Sequence, residues 1–343
     1  MYKGHSIAVV IPAYNERKHI KGVIESIPDF VDKIVVIDDG SSDETGQIAK
    51  EAGAFVIRHE LNRGVGAALH SGIEYVLRED YDIMVNVDGD EQFSTSDIIH
   101  LIEPIINDET DFVTASRFAD PKLIPKMPIV KRWGNRMMSR LVNYLTQTSF
   151  SDVSCGFRAY SKETLLKLNL SGNFTYTHET FLDLVFKHTR IMEVPVKVVY
   201  YEGRKSRISK NVIWYAFRAL SIILRTYRDY KPLKFFWLTA SFFFLVSLFF
   251  FSVIVIHYIR SGFFTGHIWA GFVGAFFFMI GVFFFAMGIH GDMYARIREN
   301  QEKILLRIKR TEYLLINSEL KKTNDKYEKN KNSEHDYSKD FPP

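Results

Sequence analysis

Residues 83–93 read IMVNVDGDEQF, an apolar run that releases Asp88, Asp90 and Glu91 within four positions. Gathering carboxylates is costly, because each raises the free energy of ionising the next. A divalent cation bound there would offset that cost and supply Lewis-acid chemistry. In an extended segment residues i, i+2 and i+4 share a face, so Asp88, Asp90 and Gln92 are expected to point one way and Glu91 another. The competing reading is a solvated turn whose acids cap a helix beginning near residues 94–97. On this stretch alone both stay open.

Elements must bring such a cluster to a site. The runs SIAVVIPAY, KIVVIDDGS, AFVIRHE and DFVTASR have the β-branched composition of strands ending in polar turns. Between the first two, Ile20, Val23, Ile24 and Ile27 recur at helical spacing. DETGQIAKEAG and GVGAALHSGIEYVLRE read as further helices, the first stopping at Gly53. Near-continuous apolar strands alternating with helices imply an α/β fold, a Rossmann-like, mostly parallel sheet covered on both faces. Ligands of such sheets sit beyond the carboxyl ends of the strands. PAYNE, DDGSSDE and DGDEQ all fall at those ends. For Asp38, Ser41 and Ser42 an Asx-type turn and helix cap is an equal reading.

The ordered set VVIPAYNE, VVIDDGSSDET, LNRGVGAAL and VNVDGDEQF, continued by ASRF, CGFRAYSKETL and GRKSRIS, resembles the inverting GT-A glycosyltransferases of family 2. With the C-terminal apolar segments described below, it is similar to dolichol-phosphate mannose synthase and the bacterial polyprenyl-phosphate hexose transferases. The resemblance spans about residues 5–210. It implies transfer of one hexose from a nucleotide sugar (GDP-mannose, UDP-glucose or UDP-N-acetylglucosamine) to a dolichyl or undecaprenyl phosphate, with Mg²⁺ or Mn²⁺ as cofactor. Both ions prefer oxygen ligands, and Mg²⁺ typically takes one or two carboxylates together with substrate phosphates.

Carried onto this chain, the family pattern gives Asp90 and Gln92 to the metal and Asp88 to the nucleotide or sugar. Pro12, Tyr14, Glu16 and Asp39 fall to the nucleotide: Pro12 shapes the loop, Tyr14 covers the base, Glu16 accepts from ribose and Asp39 reads a base N–H. Arg117 matches the family's arginine at the end of the strand run DFVTASR, and Arg132, Arg136 and Ser139 lie in a helical stretch. With Arg207 of GRKSRIS they form the expected acceptor-phosphate set, Arg being suited to bidentate phosphate contact. Arg207 stands where the family usually has Lys, and Arg204 and Lys205 are extra. Asp88, Asp90 and Arg117 are the expected catalytic residues. Asp152 is read as positioning the sugar or ordering its loop. His178 and Glu179 either contact the hexose or serve as helix cap and surface pair. Cys155 is read as a small buried residue. A lipid phosphate is already anionic and needs only in-line placement, so no general base is expected.

The chain has 343 residues, a formal charge of +4 and one cysteine, which excludes an internal disulfide. No cleavable signal peptide is read at the N-terminus. Residues 235–259 and 268–289 contain no Asp, Glu, Lys or Arg. Each reaches the roughly 20 apolar residues that cross a bilayer. Arg and Lys flank the pair while the linker offers only Arg260, so both termini and the catalytic domain are expected in the cytoplasm. From 204 to 234 basic residues interleave with aromatic and aliphatic ones, the composition of a helix in the headgroup plane. That favours membrane lipid over nucleic acid as its partner. The expected division is a nucleotide-sugar half (1–110), an acceptor half (111–210), an interfacial helix (211–232), a transmembrane hairpin (233–291), a cytoplasmic helix (292–320) and a disordered tail (321–343). Ile297, Ile304, Ile308 and Leu315 form a stripe on that cytoplasmic helix that would suit a homo-oligomer. Two rival functions remain. A processive polysaccharide synthase would carry Gln-x-x-Arg-Trp, and here Ile129 precedes Arg132–Trp133. A non-catalytic membrane adaptor would have no use for intact Asp88, Asp90 and Gln92.

Overall fold

The computed structural model describes residues 1–125, 127, 129–169, 176–199 and 212–337. Two compact units emerge, one of Met1–Leu220 with Leu305–Pro343, the other of Ser221–Ile304.

The first unit is built on a seven-stranded sheet of order β3-β2-β1-β4-β6-β5-β7. Its strands are β1 (Ile7–Ala13), β2 (Lys33–Asp38), β3 (Phe55–Arg58), β4 (Ile83–Asn86), β5 (Phe112–Ser116), β6 (Arg158–Ser161) and β7 (Ile191–Pro195). Only β6 runs antiparallel to its neighbours. The helices are α1 (Ile20–Ser26), α2 (Thr45–Glu51), α3 (Val65–Arg78), α4 (Ile98–Ile106), α5 (Ile129–Thr146), α6 (Lys162–Lys167) and α7 (Tyr176–Phe186). Ile7, Val9 and Ile11 of β1 join one core with Ile20, Val23 and Ile24 of α1 and Ile98, Leu101 and Ile102 of α4. On the opposite face Val10 meets α3 at Gly72, where a side chain would collide with it. Burial on both faces explains why β1 is apolar at every position.

The chain leaves β1 through β2 and β3, then returns to the other side of β1 as β4. In sheets of this kind such a reversal marks the ligand crevice, here at the carboxyl ends of β1 and β4. The register is parallel on both sides, pairing Ala13 with Asp38 and Val10 with Asn86.

The second unit is dominated by α9 (Pro232–Ser261) and the first part of α10 (Ile268–Tyr337), with the end of α8 (Val212–Tyr230). Both α9 and α10 contain a stretch long and apolar enough to span a membrane. Many of their apolar side chains face outward, as at Leu238 (76% exposed) and Phe272 (74%), unlike those of a buried core pair. Trp237, Phe244 and Phe251 recur every seven residues on α9 and seat on Gly288, Gly281 and Gly274 of α10. A Cβ at Gly281 would stand 2.6 Å from the Phe244 ring, so the small residues set the close approach. Buried Ser247 donates to the Gly274 carbonyl at 2.8 Å.

Helix α10 is one element of 70 residues, continuous from the second apolar segment through residues read as a separate helix and a tail. Residues 321–337 hold no Pro or Gly, so nothing interrupts the backbone ladder. Within the first unit, Lys309 Nζ donates to the Leu168 carbonyl and Asn169 Oδ1, both at 2.9 Å, and Arg310 pairs with Glu163. The apolar stripe at Ile304, Ile308 and Leu315 is exposed.

Candidate active site

Strand β1 ends in a loop that is tied to the loop after β2. The Asn15 N–H donates to Ser41 Oγ at 2.9 Å, the Ser42 N–H to Asn15 Oδ1 at 2.8 Å and the Glu16 N–H to Thr45 Oγ1 at 2.8 Å. These bonds fix the loop that carries Tyr14, which is 38% exposed, and Glu16, which is partly buried. Asp38 is fully buried and accepts from the Ser41 N–H at 2.9 Å, a side-chain bond three residues on that closes the turn after β2. Gly40, at φ 70°, lies so close to the Leu61–Asn62 backbone that a Cβ would stand 2.6 Å from it.

Asp39 is buried and receives three donors: the Arg63 N–H at 2.9 Å, the Gly64 N–H at 2.8 Å and the His59 Nδ1–H at 2.7 Å. His59 Nε2 lies 3.0 Å from Ser71 Oγ. Asp39 therefore braces the turn that starts α3. The sequence reading missed His59, although HE next to a strand end carried a hint: a buried imidazole beside an acid.

The acidic tip differs from the sequence expectation in its backbone. Strand β4 ends at Asn86, and residues 88–92 turn instead of running extended, with Glu91 at φ 57°. The i, i+2, i+4 argument for a shared face of Asp88, Asp90 and Gln92 thus fails. The loop conformation, not strand pleating, sets their directions. The Gln92 N–H donates to Asp90 Oδ1 at 3.2 Å, and the Gln92 carbonyl accepts from the Val199 N–H at 3.0 Å. The capping alternative is not realised either: α4 has Asp97 at its N-cap without a side-chain capping bond.

Electrostatics shows which residues meet. Burial, then the charges of Asp90 and Glu16, push the Asp88 carboxyl up to about 7 against the opposing pull of Arg117 and Arg158. Glu16, Asp90, Arg117 and Arg158 all lie near enough for their charges to act on the Asp88 carboxyl. Arg117 is anchored by Asp152, its Nε 2.6 Å from Oδ2 and its Nη2 3.0 Å from Oδ1, while Nη2 also donates to Ser154 Oγ at 2.7 Å. Burial works against the charge of Asp152, yet the Arg117 guanidinium and the Ser154 donors hold its carboxyl below the ordinary range. Of the two readings of Asp152, ordering the loop is the one for which bonds are present.

Arg158 was not singled out from the sequence. It is fully buried on β6, opposite Asn86 of β4, and donates to the Val153 carbonyl at 3.2 Å and the Thr177 carbonyl at 2.9 Å. An arginine inside the apolar stretch GFRAYS was the available signal, since a buried guanidinium needs acceptors. His178 is buried on α7, where burial and the Arg158 charge push its imidazole down to about 4, so it is not one of a surface pair. Burial pushes the Cys155 thiol up to about 12, as befits a packing residue.

On α5, Arg132 and Arg136 are exposed, while Ser139 is buried and donates to the Ser151 carbonyl at 3.1 Å. Ser139 thus holds α5 to the domain and does not share the exposed face of the arginines. Arg207 lies outside the described residues.

A divalent cation fits this chemistry. Among the described residues no three His, Cys, Asp or Glu side chains form a cage of their own. Mg²⁺ typically takes one or two carboxylates and completes its shell with substrate phosphates and water. An ion there would neutralise the charge of Asp90 that, after burial, raises the Asp88 carboxyl.

The profile described as glycosyl transferase family 2 matches residues 8–168. A UDP-N-acetylglucosamine–dolichyl-phosphate N-acetylglucosaminyltransferase from Methanococcus voltae is 33% identical over 222 residues, covering 59% of this chain and 88% of that protein. A dolichyl-phosphate hexose transferase from Haloferax volcanii is 32% identical over 197 residues, covering 57% and 83%. Among solved structures, glucosyl-3-phosphoglycerate synthase from Mycobacterium tuberculosis, in complex with Mn²⁺, UDP and glucosyl-3-phosphoglycerate, superposes with a TM-score of 0.52 at 22% identity. The match covers 65% of this chain and 80% of that one.

Proposed function

Because this chain belongs to glycosyl transferase family 2, we propose that it transfers a single hexose from a nucleotide sugar to a polyprenyl phosphate at the cytoplasmic face of a membrane, with inversion at the anomeric carbon. The reading is supported by the gathering of Glu16, Asp90, Arg117 and Arg158 around Asp88 at the carboxyl ends of β1 and β4, in a chain with two helices of membrane-spanning length. The names of the relatives point to the same substrates.

In this reading Tyr14 covers the base, Asp39 and Glu16 accept from base and ribose, and Asp88 holds the donor sugar or nucleotide. Asp90 and Gln92 would hold Mg²⁺ or Mn²⁺, which when bound neutralises the leaving diphosphate. Arg132 and Arg136, with Arg207, draw in the lipid phosphate, and Arg117 steadies the anionic centre while fixed by Asp152. An oxygen of the lipid phosphate attacks the anomeric carbon in line. The carbon–oxygen bond to the diphosphate breaks, and its electron pair leaves with the nucleotide. The attacking oxygen carries no proton to remove, so the residues need only position and stabilise charge. Exposed Arg218, Arg225 and Arg228 on α8, beside exposed Phe217 and Leu224, suit a helix lying among anionic headgroups.

The test is a panel of radiolabelled GDP-mannose, UDP-glucose and UDP-N-acetylglucosamine with dolichyl and undecaprenyl phosphate and Mn²⁺. Chloroform-soluble label with a β-linked product is expected from an α-linked donor. No lipid-linked sugar from any donor would favour the adaptor reading, and a polymeric product would favour a synthase.

A further inference from the structure

We propose that Glu91 is a positioning residue for the cation loop, clasped against α1 by His19 and Gly22 so that the turn presents Asp90 and Gln92. The proposal rests on the reading of those two residues as cation ligands, and it concerns a side chain that points away from the crevice.

Three independent observations converge on Glu91. Its backbone sits at φ 57°, a region that L-residues with a long side chain rarely adopt, so something must hold it there. Its Oε2 accepts from His19 Nδ1 at 2.9 Å. Its Oε1 lies over Gly22, where an added Cβ would overlap it. Both carboxylate oxygens are thereby fixed against a single turn of helix. His19 is the N-cap residue of α1 but makes no side-chain capping bond; its ring serves Glu91 instead. Gly22 lies inside a seven-residue helix, where glycine is a poor helix former and needs a reason to be present. The carboxylate above it is that reason.

The consequence is local. The far end of the loop is already pinned, because the Gln92 carbonyl accepts from the Val199 N–H and Phe93 bridges to Val198. The near end leaves β4 after Asn86. Between the two, the clasp at Glu91 fixes the rotation of the turn, and with it the directions of Asp90 on one side and Gln92 on the other.

Gly22→Ala provides the decisive variant, because it dislodges the Glu91 carboxylate without altering residue 91. Alanine also improves the helix, so a purely structural account expects no harm from it. The detergent-solubilised full chain is titrated with Mn²⁺ at saturating UDP, and separately at saturating GDP, with free Mn²⁺ followed by electron paramagnetic resonance and melting recorded in parallel. Gly22→Ala and Glu91→Ala are each expected to bind Mn²⁺ about tenfold more weakly, and Gly22→Ala to melt no lower than wild type. Glu91→Gln keeps an oxygen to accept from His19 and is expected to stay within about threefold of wild type. Affinity within about twofold of wild type in both alanine variants overturns the proposal. So does a loss of affinity that tracks a loss of melting temperature in Gly22→Ala. Asp90→Asn separates the two levels. If it binds Mn²⁺ like wild type, the cation-site reading fails; if it loses Mn²⁺ while Gly22→Ala keeps it, the clasp alone fails.

Discussion

Replacing Asp152 by Asn isolates the buried pair that underlies the arginine side of the crevice. Asp152 is fully buried and accepts from Arg117 Nε at 2.6 Å, Arg117 Nη2 at 3.0 Å, the Ser154 N–H at 3.0 Å and Ser154 Oγ at 2.9 Å. Asparagine keeps the volume but removes the charge and turns one acceptor into a donor. That donor must then face either the guanidinium or the Ser154 donors. Arg117 is only 14% exposed at its side chain, so water replaces little of what is lost. Removing one partner of such a pair costs about 3–5 kcal/mol. At about 2–4 °C per kcal/mol for a domain of this size, the melting temperature should fall by roughly 6–20 °C. The pH dependence has a definite sign. The Asp152 carboxyl is held below its ordinary value, so its contribution is present above the unfolded carboxylate range, about 3.9, and is lost as the pH falls through the folded value. The gap between wild type and variant should be constant from pH 8 to about 5 and close in stronger acid. Near-UV circular dichroism of the solubilised full chain reads both. Asp152→Asn combined with Arg117→Met should recover much of the loss, because the stranded cation is its main source. A single variant within about 1 kcal/mol of wild type, or a double variant no better than the single, would refute the reasoning.

The buried imidazole of His178 sits at about 4 against an ordinary 6.5, so folding favours its neutral form and stability is complete only above pH 6.5. From pH 7 to 5 the His178 contribution should cost about 2 kcal/mol, against an opposing gain as the raised Asp88 carboxyl takes up its proton, so the difference between wild type and His178→Gln in denaturant titrations isolates it. Gly281→Leu, which places a side chain against the Phe244 ring, should cost about 1–3 kcal/mol by overpacking and lower the thermal aggregation temperature in detergent, whereas Gly262→Ala has open space for its Cβ and tests only backbone strain. Arg132→Ala and Arg136→Ala lie on an exposed face and should leave melting unchanged while raising KM for the lipid phosphate about tenfold each; an unchanged KM removes them from the acceptor set.

Much of the sheet was legible because a strand buried on both faces must be apolar throughout, as β1 is at Ile7, Ala8, Val9 and Val10. The parallel order followed from alternation with helices. The antiparallel insertion of β6 did not, since nothing in RAYS distinguishes its direction. The acidic cluster announced itself by composition, but its geometry was misjudged. Periodicity arguments assume a continuing strand, and Glu91 in the left-handed region breaks it. Residues that act through others were hardest to see. Arg158, His59 and His19 derive their meaning from Asp88, Asp39 and Glu91, distant in sequence, which only the topology brings together. Ser139 shows the converse: helical spacing placed it near the arginines, whereas its burial assigns the hydroxyl to the Ser151 carbonyl. The two long apolar helices were plain from length and composition. The glycine seam at 274, 281 and 288 became meaningful only once Phe251, Phe244 and Trp237 were found opposite it.

The central claim is that a cation held at Asp90 and Gln92 meets the donor diphosphate in the crevice between β1 and β4. Crystals of the full chain grown with Mn²⁺ and an accepted nucleotide sugar, measured at the manganese edge, test it directly. The account predicts one anomalous peak within coordination distance of the Asp90 carboxylate and of a diphosphate oxygen, with the base against Tyr14. A peak elsewhere, or a diphosphate seated on another face of the sheet with Asp90 unliganded, would contradict it.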